Sequence, residues 1–385
     1  MKILYITHLS GKRVNRFWIS SIQAAQDINM EFHLACNMNG CDKKNFPKDC
    51  EKYHITSHQI DFDRNPLKPV NIKAYSELVD LLQREHFDII HCNTPIGGVI
   101  GRLAAHKVGG AYVIYQAHGF HFWKGAPIKN WLFYYPVEKF LSRYTDTLIT
   151  INKEDYNIAK NFYAKEVVYV PGVGIDLSKF QTNNNIREQK RKELGLKKDD
   201  IVILSVGELI PRKNHKMVID AICDLKDRPE FERVQYLICG AGELQDELKS
   251  YISERGVEDH VHLLGFRLDV NEIYNAADIF VFMSLQEGLP VALMEAMASG
   301  LVCIASNIRG NNDLIIDKYN GRLIPIDEEK LAHSLYSVIR NTDQIKKYGK
   351  YATEIIKDFT TEKVVEQLRN IYLKRLLIKM GRIYN

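Results

Sequence analysis

The stretch DIFVFMSLQEGLPVALMEAMASG, residues 278–300, joins a strand pattern to a helix pattern through a Gly-Leu-Pro corner. DIFVFM is a short run of β-branched and aromatic residues, which is typical of a strand buried in a parallel sheet. Pro290 suits the first turn of a helix, where its missing N–H is not needed, and Gly300 suits the C-terminal cap. We therefore expect a strand, a tight turn and a helix that begins close to Gly288 or Leu289.

The same alternation of strand and helix patterns continues on both sides of this stretch and indicates βαβ units. The runs that read as strands are KILYIT, EFHLAC, FDIIHC, YVIYQAH, TLITI and VVYVP in the first half, and IVILSVGE, VQYLICG, VHLLG, DIFVFM, VCIAS and GRLIPI in the second. Between the two series, residues 172–195 are polar, Asn-rich and charged, as expected of a domain linker.

We therefore predict two doubly wound, Rossmann-like α/β domains with parallel sheets, at about residues 1–180 and 181–360, which face a shared cleft. A helical segment at 361–385 follows. Its Leu373, Leu376, Leu377 and Met380 fall at helical spacing, and residues 367–385 contain five Lys/Arg and no acidic residue. Two interpretations stay open: a final helix that crosses back onto the first domain, or an amphipathic helix on an anionic membrane surface.

The overall composition excludes several classes of protein. A formal net charge of +4 is too small to indicate a nucleic-acid partner, and the seven cysteines lack the spacing of a zinc site. No run reaches the roughly 18 to 20 apolar residues of a membrane span, and MKILYITHL lacks the longer apolar region of a signal peptide. We expect a cytoplasmic protein that makes peripheral contact with the inner face of the cell membrane.

The two glutamates of the opening stretch, Glu287 and Glu295, stand at the mouth of the predicted helix and within it. Exposed N–H groups at a helix N-terminus bind anions such as phosphate, and a carboxylate accepts hydrogen bonds from two hydroxyl groups at once. A diphosphate flanked by two diol-bearing rings, a ribose and a hexose, would use this arrangement fully. An ordinary surface helix with two glutamates fits the spacing equally well.

The stretch resembles the E-x7-E motif of retaining glycosyltransferases of family 4, which have the GT-B fold of two Rossmann-like domains. The resemblance extends to HGFHFWKGAP at 118–127, VGELIPRKNH at 206–215, LGFRLDV at 264–270 and SNIRGNNDLI at 306–315. It covers nearly the whole chain and is greatest for bacterial enzymes that extend surface-polysaccharide or lipid-linked oligosaccharide chains.

The resemblance implies particular roles for individual residues. Glu295 would hold the donor ribose and Glu287 the donor sugar, while His118 and Lys213 would act with Glu287 in catalysis. His121 is assigned to the acceptor or to structure. The donor-binding positions implied are Gly11, Gly207, Arg212, Phe266, Arg267, Gly288, Leu289, Pro290 and Glu295.

Two features depart from the family pattern or bear on cofactors. Glu208 stands where the family carries an arginine that contacts the diphosphate, so Arg212, or Lys213 with the helix mouth, would have to supply that charge. Asp61 and Asp63 match the letters of the metal-binding D-x-D motif, but they precede a Pro-rich turn in the first half. We therefore expect no metal and no other cofactor, with cations and the helix dipole in their place.

The implied function is transfer of a hexose or N-acetylhexosamine from a UDP-sugar donor to a lipid-linked saccharide acceptor in the synthesis of a cell-surface polysaccharide such as a capsule or exopolysaccharide. An aromatic and basic segment, residues 121–144, would suit contact with the membrane that holds such an acceptor. Two alternatives remain at this stage: a UDP-sugar 2-epimerase of the same fold, and a non-catalytic sugar-binding protein.

Overall fold

The computed structural model describes residues 1–9, 11–379 and 381, and within these residues the strands form two parallel sheets. The strands are β1 Lys2–Leu9, β2 Glu31–Asn37, β3 Ile55–Gln59, β4 Ile89–Asn93, β5 Tyr112–Ala117, β6 Thr147–Thr150, β7 Glu166–Tyr169, β8 Ile201–Val206, β9 Val234–Cys239, β10 Val261–Gly265, β11 Ile279–Phe282, β12 Val302–Ser306 and β13 Gly321–Ile324. Every run that the sequence marked as a strand forms one.

Helices connect the strands in the order expected of βαβ units. They are α1 Arg16–Gln26, α2 Phe46–Lys52, α3 Val70–Glu85, α4 Pro95–Val108, α5 Ile128–Leu141, α6 Lys153–Ala159, α7 Asn184–Glu193, α8 His215–Cys223, α9 Gln245–Glu254, α10 Val270–Ala276, α11 Val291–Ala298, α12 Asn311–Leu314, α13 Glu328–Ile339, α14 Thr342–Ile355 and α15 Thr361–Lys379. No helix among the described residues combines the length and the apolarity needed to cross a bilayer.

Both sheets have the strand order of doubly wound folds, which confirms the predicted fold class. The first runs β3-β2-β1-β4-β5-β6-β7 and the second β10-β9-β8-β11-β12-β13. The order reverses between β1 and β4 and between β8 and β11, and ligands of such sheets bind beyond the carboxyl ends of the strands at these points. Strand β3 was not singled out from the sequence, because only Ile55 of its five residues is buried.

The chain divides into two compact units, Met1–Gly174 with Thr361–Asn385, and Ile175–Thr360. The division falls six residues before the predicted boundary at 180. It lies there because Ile175 forms a parallel bridge with Thr360 and donates its backbone N–H to the carbonyl of Phe359 at 2.9 Å. The outgoing and returning segments of the second unit therefore lie side by side.

The stretch predicted as a linker is an ordered part of the second unit, and this prediction is wrong for 184–193. Residues 184–193 form α7, whose Arg187 and Arg191 both bind the carboxylate of Asp278, at 2.5 and 2.7 Å. Arg191 is buried and also donates to the carbonyl of Ala276. The stretch is polar because its charged side chains form this network of ion pairs. The sequence pattern did not distinguish such paired side chains from solvent-exposed ones.

The last described helix, α15, packs on the first unit. Its Val364, Leu368 and Tyr372 are buried in the same apolar cluster as Tyr5 and Ile89 of the central strands. The hydroxyl of Tyr372 lies 2.8 Å from Nδ1 of His91, which is wholly buried on β4. Leu373, Leu376 and Leu377 are half-buried, and Met380 of the predicted amphipathic set lies outside the described residues.

We expect Tyr372→Phe to destabilise the first unit by about 1–3 kcal/mol, because it removes the only hydroxyl bonded to the buried Nδ1 of His91 among the described residues. The three tryptophans, Trp18, Trp123 and Trp131, all lie in this unit, so urea unfolding followed by tryptophan fluorescence reports on it. Tyr134→Phe, at an exposed tyrosine of the same unit, is the control. Equal midpoints for both variants would contradict the proposed anchoring of α15.

Candidate active site

In the second unit, the turn between β11 and α11 places Glu287 at the mouth of the helix. The helix begins at Val291, not at Gly288 or Leu289 as predicted, because Pro290 has an extended ψ of 117° and is the residue before the first helical turn. No side chain of the described residues caps this end, so the first N–H groups of the helix suit an anion. Gly300 follows the last turn with a φ of +74°, as predicted.

The carboxylate of Glu287 binds two cations through one oxygen. Oε1 lies 2.7 Å from Nζ of Lys213 and 2.8 Å from a guanidinium nitrogen of Arg212, and it accepts the hydroxyl of Ser284 at 2.6 Å. Arg212 also donates to the carbonyl of Gln286 at 2.7 Å. The structure therefore brings together three of the side chains that the sequence marked: Arg212, Lys213 and Glu287.

Lys213 is held in an apolar and partly desolvated position. Its ammonium lies 4.6 Å from the centre of the Phe282 ring, a favourable cation–π geometry. Burial lowers the pKa of Lys213, and the nearby carboxylate of Glu287 opposes this shift. A desolvated cation interacts more strongly with an incoming phosphate than a solvated one does. Gly207 lies against this side chain, since a Cβ there would be 3.3 Å from Cε of Lys213.

Glu295 lies one turn inside α11 and is only 8% exposed. Its Oε2 accepts a hydrogen bond from the buried hydroxyl of Tyr274 at 3.2 Å, and the same hydroxyl lies 3.0 Å from the carbonyl of Ala292. Tyr274 therefore fixes the side chain of Glu295 from α10. The role of Glu295 as a ribose ligand stays a prediction.

The loop after β10 contains the predicted nucleobase contacts. Phe266 is 74% exposed, so its ring is free to stack on a planar ligand. Arg267 is bound to Asp269 at 2.6 Å and to Glu193 at 3.0 Å. Its guanidinium therefore orders this loop, and a contact with a base would have to come from its backbone or from a rearrangement of these ion pairs.

In the first unit, His118 follows β5 at the carboxyl edge of the sheet. Its Nε2 lies 3.0 Å from Oδ1 of Asn93, at the end of β4, and its ring meets the edge of Phe17. Because Nδ2 of Asn93 donates to the carbonyl of His91, Nε2 of His118 is the donor and Nδ1 is the acceptor. That Nδ1 is buried and has no hydrogen-bond partner among the described residues.

The neighbouring loops of the first unit complete this edge. Thr94, directly after Asn93, has a φ of +64°, which a β-branched residue adopts rarely and which is common at functional sites. Its Oγ1 accepts the backbone N–H of His8 at 3.2 Å. Gly11 is half-buried, whereas its neighbour Ser10 lies outside the described residues. His121 is exposed, and its ring packs on Tyr134.

The D-x-D letters belong to surface ion pairs. Asp61 binds Lys73 at 2.5 Å and Asp63 binds Lys68 at 2.9 Å, and both partners are largely exposed. Across the described ranges, no group of three or more His, Cys, Asp or Glu side chains is arranged to hold a metal ion. The independence of the protein from metal stays a prediction.

Four residues at these edges received no role from the sequence. Asn93 orients His118, Ser284 and Tyr274 hold the two glutamates, and Arg309 donates from Nε to the backbone carbonyl of Glu287 at 3.0 Å. Arg309 and Ser284 lie in stretches that the sequence marked, SNIRGNNDLI and residues 278–300, and Asn93 directly follows the strand run FDIIHC. Tyr274 carries no comparable local signal.

Burial lowers the pKa of His118 to about 4, so its imidazole is neutral at neutral pH. As pH falls from about 6.5, the unfolded chain takes up this proton first and the folded first unit loses stability until about pH 4. Glutamine does not titrate, so between neutral pH and about pH 4.5 we expect the free energy of unfolding of His118→Gln to fall by about 2–3 kcal/mol less than that of the wild type. Urea unfolding by tryptophan fluorescence at several pH values measures it, and identical pH dependence in both proteins would contradict the assignment.

Two family descriptions match the chain. Residues 186–355 match "Glycosyl transferases group 1", and residues 2–152 match "Glycosyl transferase 4-like". EpsD of Bacillus subtilis (strain 168), a protein assigned as a glycosyltransferase, is 35% identical over 353 residues, which are 90% of either chain. The UDP-Gal:alpha-D-GlcNAc-diphosphoundecaprenol alpha-1,3-galactosyltransferase of Escherichia coli is 32% identical over 316 residues, 80% of this chain and 81% of the enzyme.

Solved structures are similar over almost the whole chain. Anabaena HepE in complex with UDP and glucose has a TM-score of 0.78 at 21% identity, covering 97% of this chain and 100% of HepE. WaaG, a glycosyltransferase involved in lipopolysaccharide biosynthesis, has a TM-score of 0.73 at 17% identity, covering 96% and 99%. At these identities the likeness establishes the fold alone.

Proposed function

Because the chain belongs to the family 4 type of glycosyltransferase with the GT-B fold, as its family matches and its 35% identity to EpsD show, we propose a specific reaction for it. It transfers a hexose or an N-acetylhexosamine from a UDP-sugar to a saccharide linked to polyprenyl diphosphate, in the synthesis of a cell-surface polysaccharide. The named activity of the Escherichia coli relative, galactosyl transfer to such a lipid-linked sugar, supports this choice of acceptor.

The observation on which the proposal rests is the cluster of Arg212, Lys213 and Glu287 at the uncapped mouth of α11. Two cations and free N–H groups at one helix end suit a diphosphate, and a carboxylate beside them suits sugar hydroxyl groups. The same cations stabilise the charge of the leaving UDP, so we expect turnover to need no metal ion and to survive a chelator such as EDTA.

We propose that the transfer retains the anomeric configuration by front-face attack. The bond between the anomeric carbon and the β-phosphate oxygen breaks, and its electron pair stays on the phosphate. The acceptor hydroxyl oxygen forms the new bond on the same face, and its proton passes to the departing phosphate oxygen. His118 would accept a donor-sugar hydroxyl through its free Nδ1, which its bond to Asn93 leaves unprotonated.

Helix α5 supports contact with the membrane that holds such an acceptor. Its inner side is fixed, because Glu138 binds the buried Arg102 at 2.8 Å and the hydroxyl of Tyr115 at 3.0 Å. Its other side chains include six that are 45–77% exposed and apolar or aromatic: Ile128, Leu132, Phe133, Tyr134, Val137 and Phe140. Lys129 and Arg143 are exposed beside them. This combination suits the surface of an anionic bilayer, at the cytoplasmic face.

The central test mixes the protein with a panel of UDP-sugars, with and without a polyprenyl-diphosphate-linked saccharide. We expect acceptor-dependent UDP release and an α-linked product. Formation of an epimer without acceptor would establish a 2-epimerase instead, and binding of a sugar without any turnover would establish a binding protein. The same panel identifies the donor sugar.

Variants of the cation cluster test the site within that assay. Lys213→Gln and Glu287→Gln are expected to lower kcat about 10²- to 10³-fold, because each removes a charged group that contacts the donor. Lys216→Gln is the matched control, since Lys216 lies on α8 and binds the exposed Glu247. Full turnover in both site variants would show that the site is assigned to the wrong residues.

The membrane contact is tested separately by flotation with vesicles of phosphatidylglycerol and phosphatidylcholine. We expect the double variant Phe133→Ser/Phe140→Ser to bind about tenfold less protein to the vesicles, because two exposed aromatic rings leave the interface. Ile72→Ser, at a 73% exposed residue of α3 in the same unit, is the control. An equal loss of vesicle binding in the double variant and in Ile72→Ser would rule out α5 as the contact. The absence of vesicle binding by the wild type would do so too.

A further inference from the structure

Arg309 is a buried cation at the carboxyl edge of the second sheet. Arg309 lies three residues after β12 and is only 4% exposed. Its Nε donates a hydrogen bond to the backbone carbonyl of Glu287 at 3.0 Å. That carbonyl belongs to the turn that leads into α11. The guanidinium is therefore oriented by the same turn that presents Glu287 to the cations Arg212 and Lys213.

The backbone around Arg309 is fixed against this turn. Gly310 has a φ of +83°, and a Cβ there would be 2.4 Å from the carbonyl oxygen of Gly288. The two loops thus pack backbone against backbone, and only glycine fits at 310. Asn311 and Ser306 tie the loop down further, because Asn311 donates to the carbonyl of Ser306 at 2.9 Å and Ser306 donates to the carbonyl of Ser284 at 2.6 Å.

The side-chain charges around Glu287 leave room for a third cation at this edge of the sheet. Arg212 and Lys213 share the carboxylate of Glu287, and the exposed Glu208 is close enough for its charge to act on Lys213, although burial and Glu287 have the larger effects on the pKa of that lysine. Among these four side chains two positive charges meet two negative ones. A further cation would therefore strengthen the attraction of this edge for a diphosphate.

We propose that Arg309 is a binding residue for the diphosphate of the donor nucleotide and offsets the charge of Glu208. The proposal rests on the proposed function, in which a nucleoside diphosphate binds at the mouth of α11. A guanidinium presents a planar fork of N–H donors that matches two phosphate oxygens, and it keeps its charge when buried. As the bond between the sugar and the β-phosphate oxygen breaks, the electron pair stays on that oxygen, and Arg309 stabilises the added charge there.

Binding of UDP and of uridine, measured by calorimetry on the full chain, separates this role from a structural one. Arg309→Gln is expected to weaken UDP binding about 10- to 100-fold and to leave uridine binding unchanged, because uridine has no phosphate for the guanidinium to contact. Arg322→Gln, at a half-buried arginine of β13 that pairs with Asp317, is the control and should bind both ligands normally.

A second substitution tests the compensation directly. Glu208→Arg places a cation on the same edge, so in the Arg309→Gln background it should recover most of the lost UDP affinity. Arg309→Lys keeps the charge but not the planar fork, and it should weaken UDP binding about 3- to 10-fold. This milder variant retains the test if Arg309→Gln does not fold.

The outcomes distinguish the inference from the function on which it rests. Wild-type UDP affinity in a folded Arg309→Gln or Arg309→Lys variant would overturn the role of Arg309 while leaving the transferase proposal intact. Equal losses for UDP and uridine would overturn it too, because the arginine would then act on the loop and not on phosphate. If the wild type bound no nucleoside diphosphate at all, the proposed function would fail and the role of Arg309 with it.

Discussion

The second unit depends on one carboxylate that holds two cations in place. Without Glu287, Arg212 and Lys213 would repel each other at the short separation that its shared Oε1 imposes. The carboxylate therefore keeps both positive charges at the mouth of α11 when no ligand is bound. Lys213 is partly desolvated there, so the arrangement is pre-organised for a second, stronger anion. Catalysis by fixed charges requires this kind of pre-organisation, because little rearrangement then accompanies the reaction.

Most of the fold follows from local patterns in the sequence. Short apolar runs separated by helical segments predict parallel sheets, and the runs on both sides of DIFVFM all became strands. The sequence pattern was misleading where charged side chains form tertiary ion pairs. The stretch around Arg187 and Arg191 resembles a solvated linker, but its guanidinium groups bind Asp278, some 90 residues away in the chain. Nothing in the local composition distinguishes such a buried network from exposure.

The cluster of Arg212, Lys213 and Glu287 joins residues that the sequence marked, whereas the contacts that support the candidate site were not predicted. Lys213 and Glu287 belong to recognisable motifs that follow strands. The supporting contacts join residues far apart in sequence: Tyr274 with Glu295, Asn93 with His118, and Arg309 with Glu287, at separations of 21, 25 and 22 residues. Each partner is an ordinary residue in its own segment. The packing of α10 on α11 brings the first pair together, and the pairing of β4 with β5 and of β11 with β12 brings the other two together. A single sequence does not specify which elements become neighbours.

The bridge between Ile175 and Thr360 makes the second unit an insertion within the first. A ribosome completes residues 175–360 before it adds α15, which supplies Val364, Leu368 and Tyr372 to the core of the first unit. The unit that begins the chain is thus the last to be completed during translation. Until α15 emerges, the apolar surface around Tyr5 and Ile89 lacks its cover, and such transient exposure is where aggregation and chaperone binding concentrate.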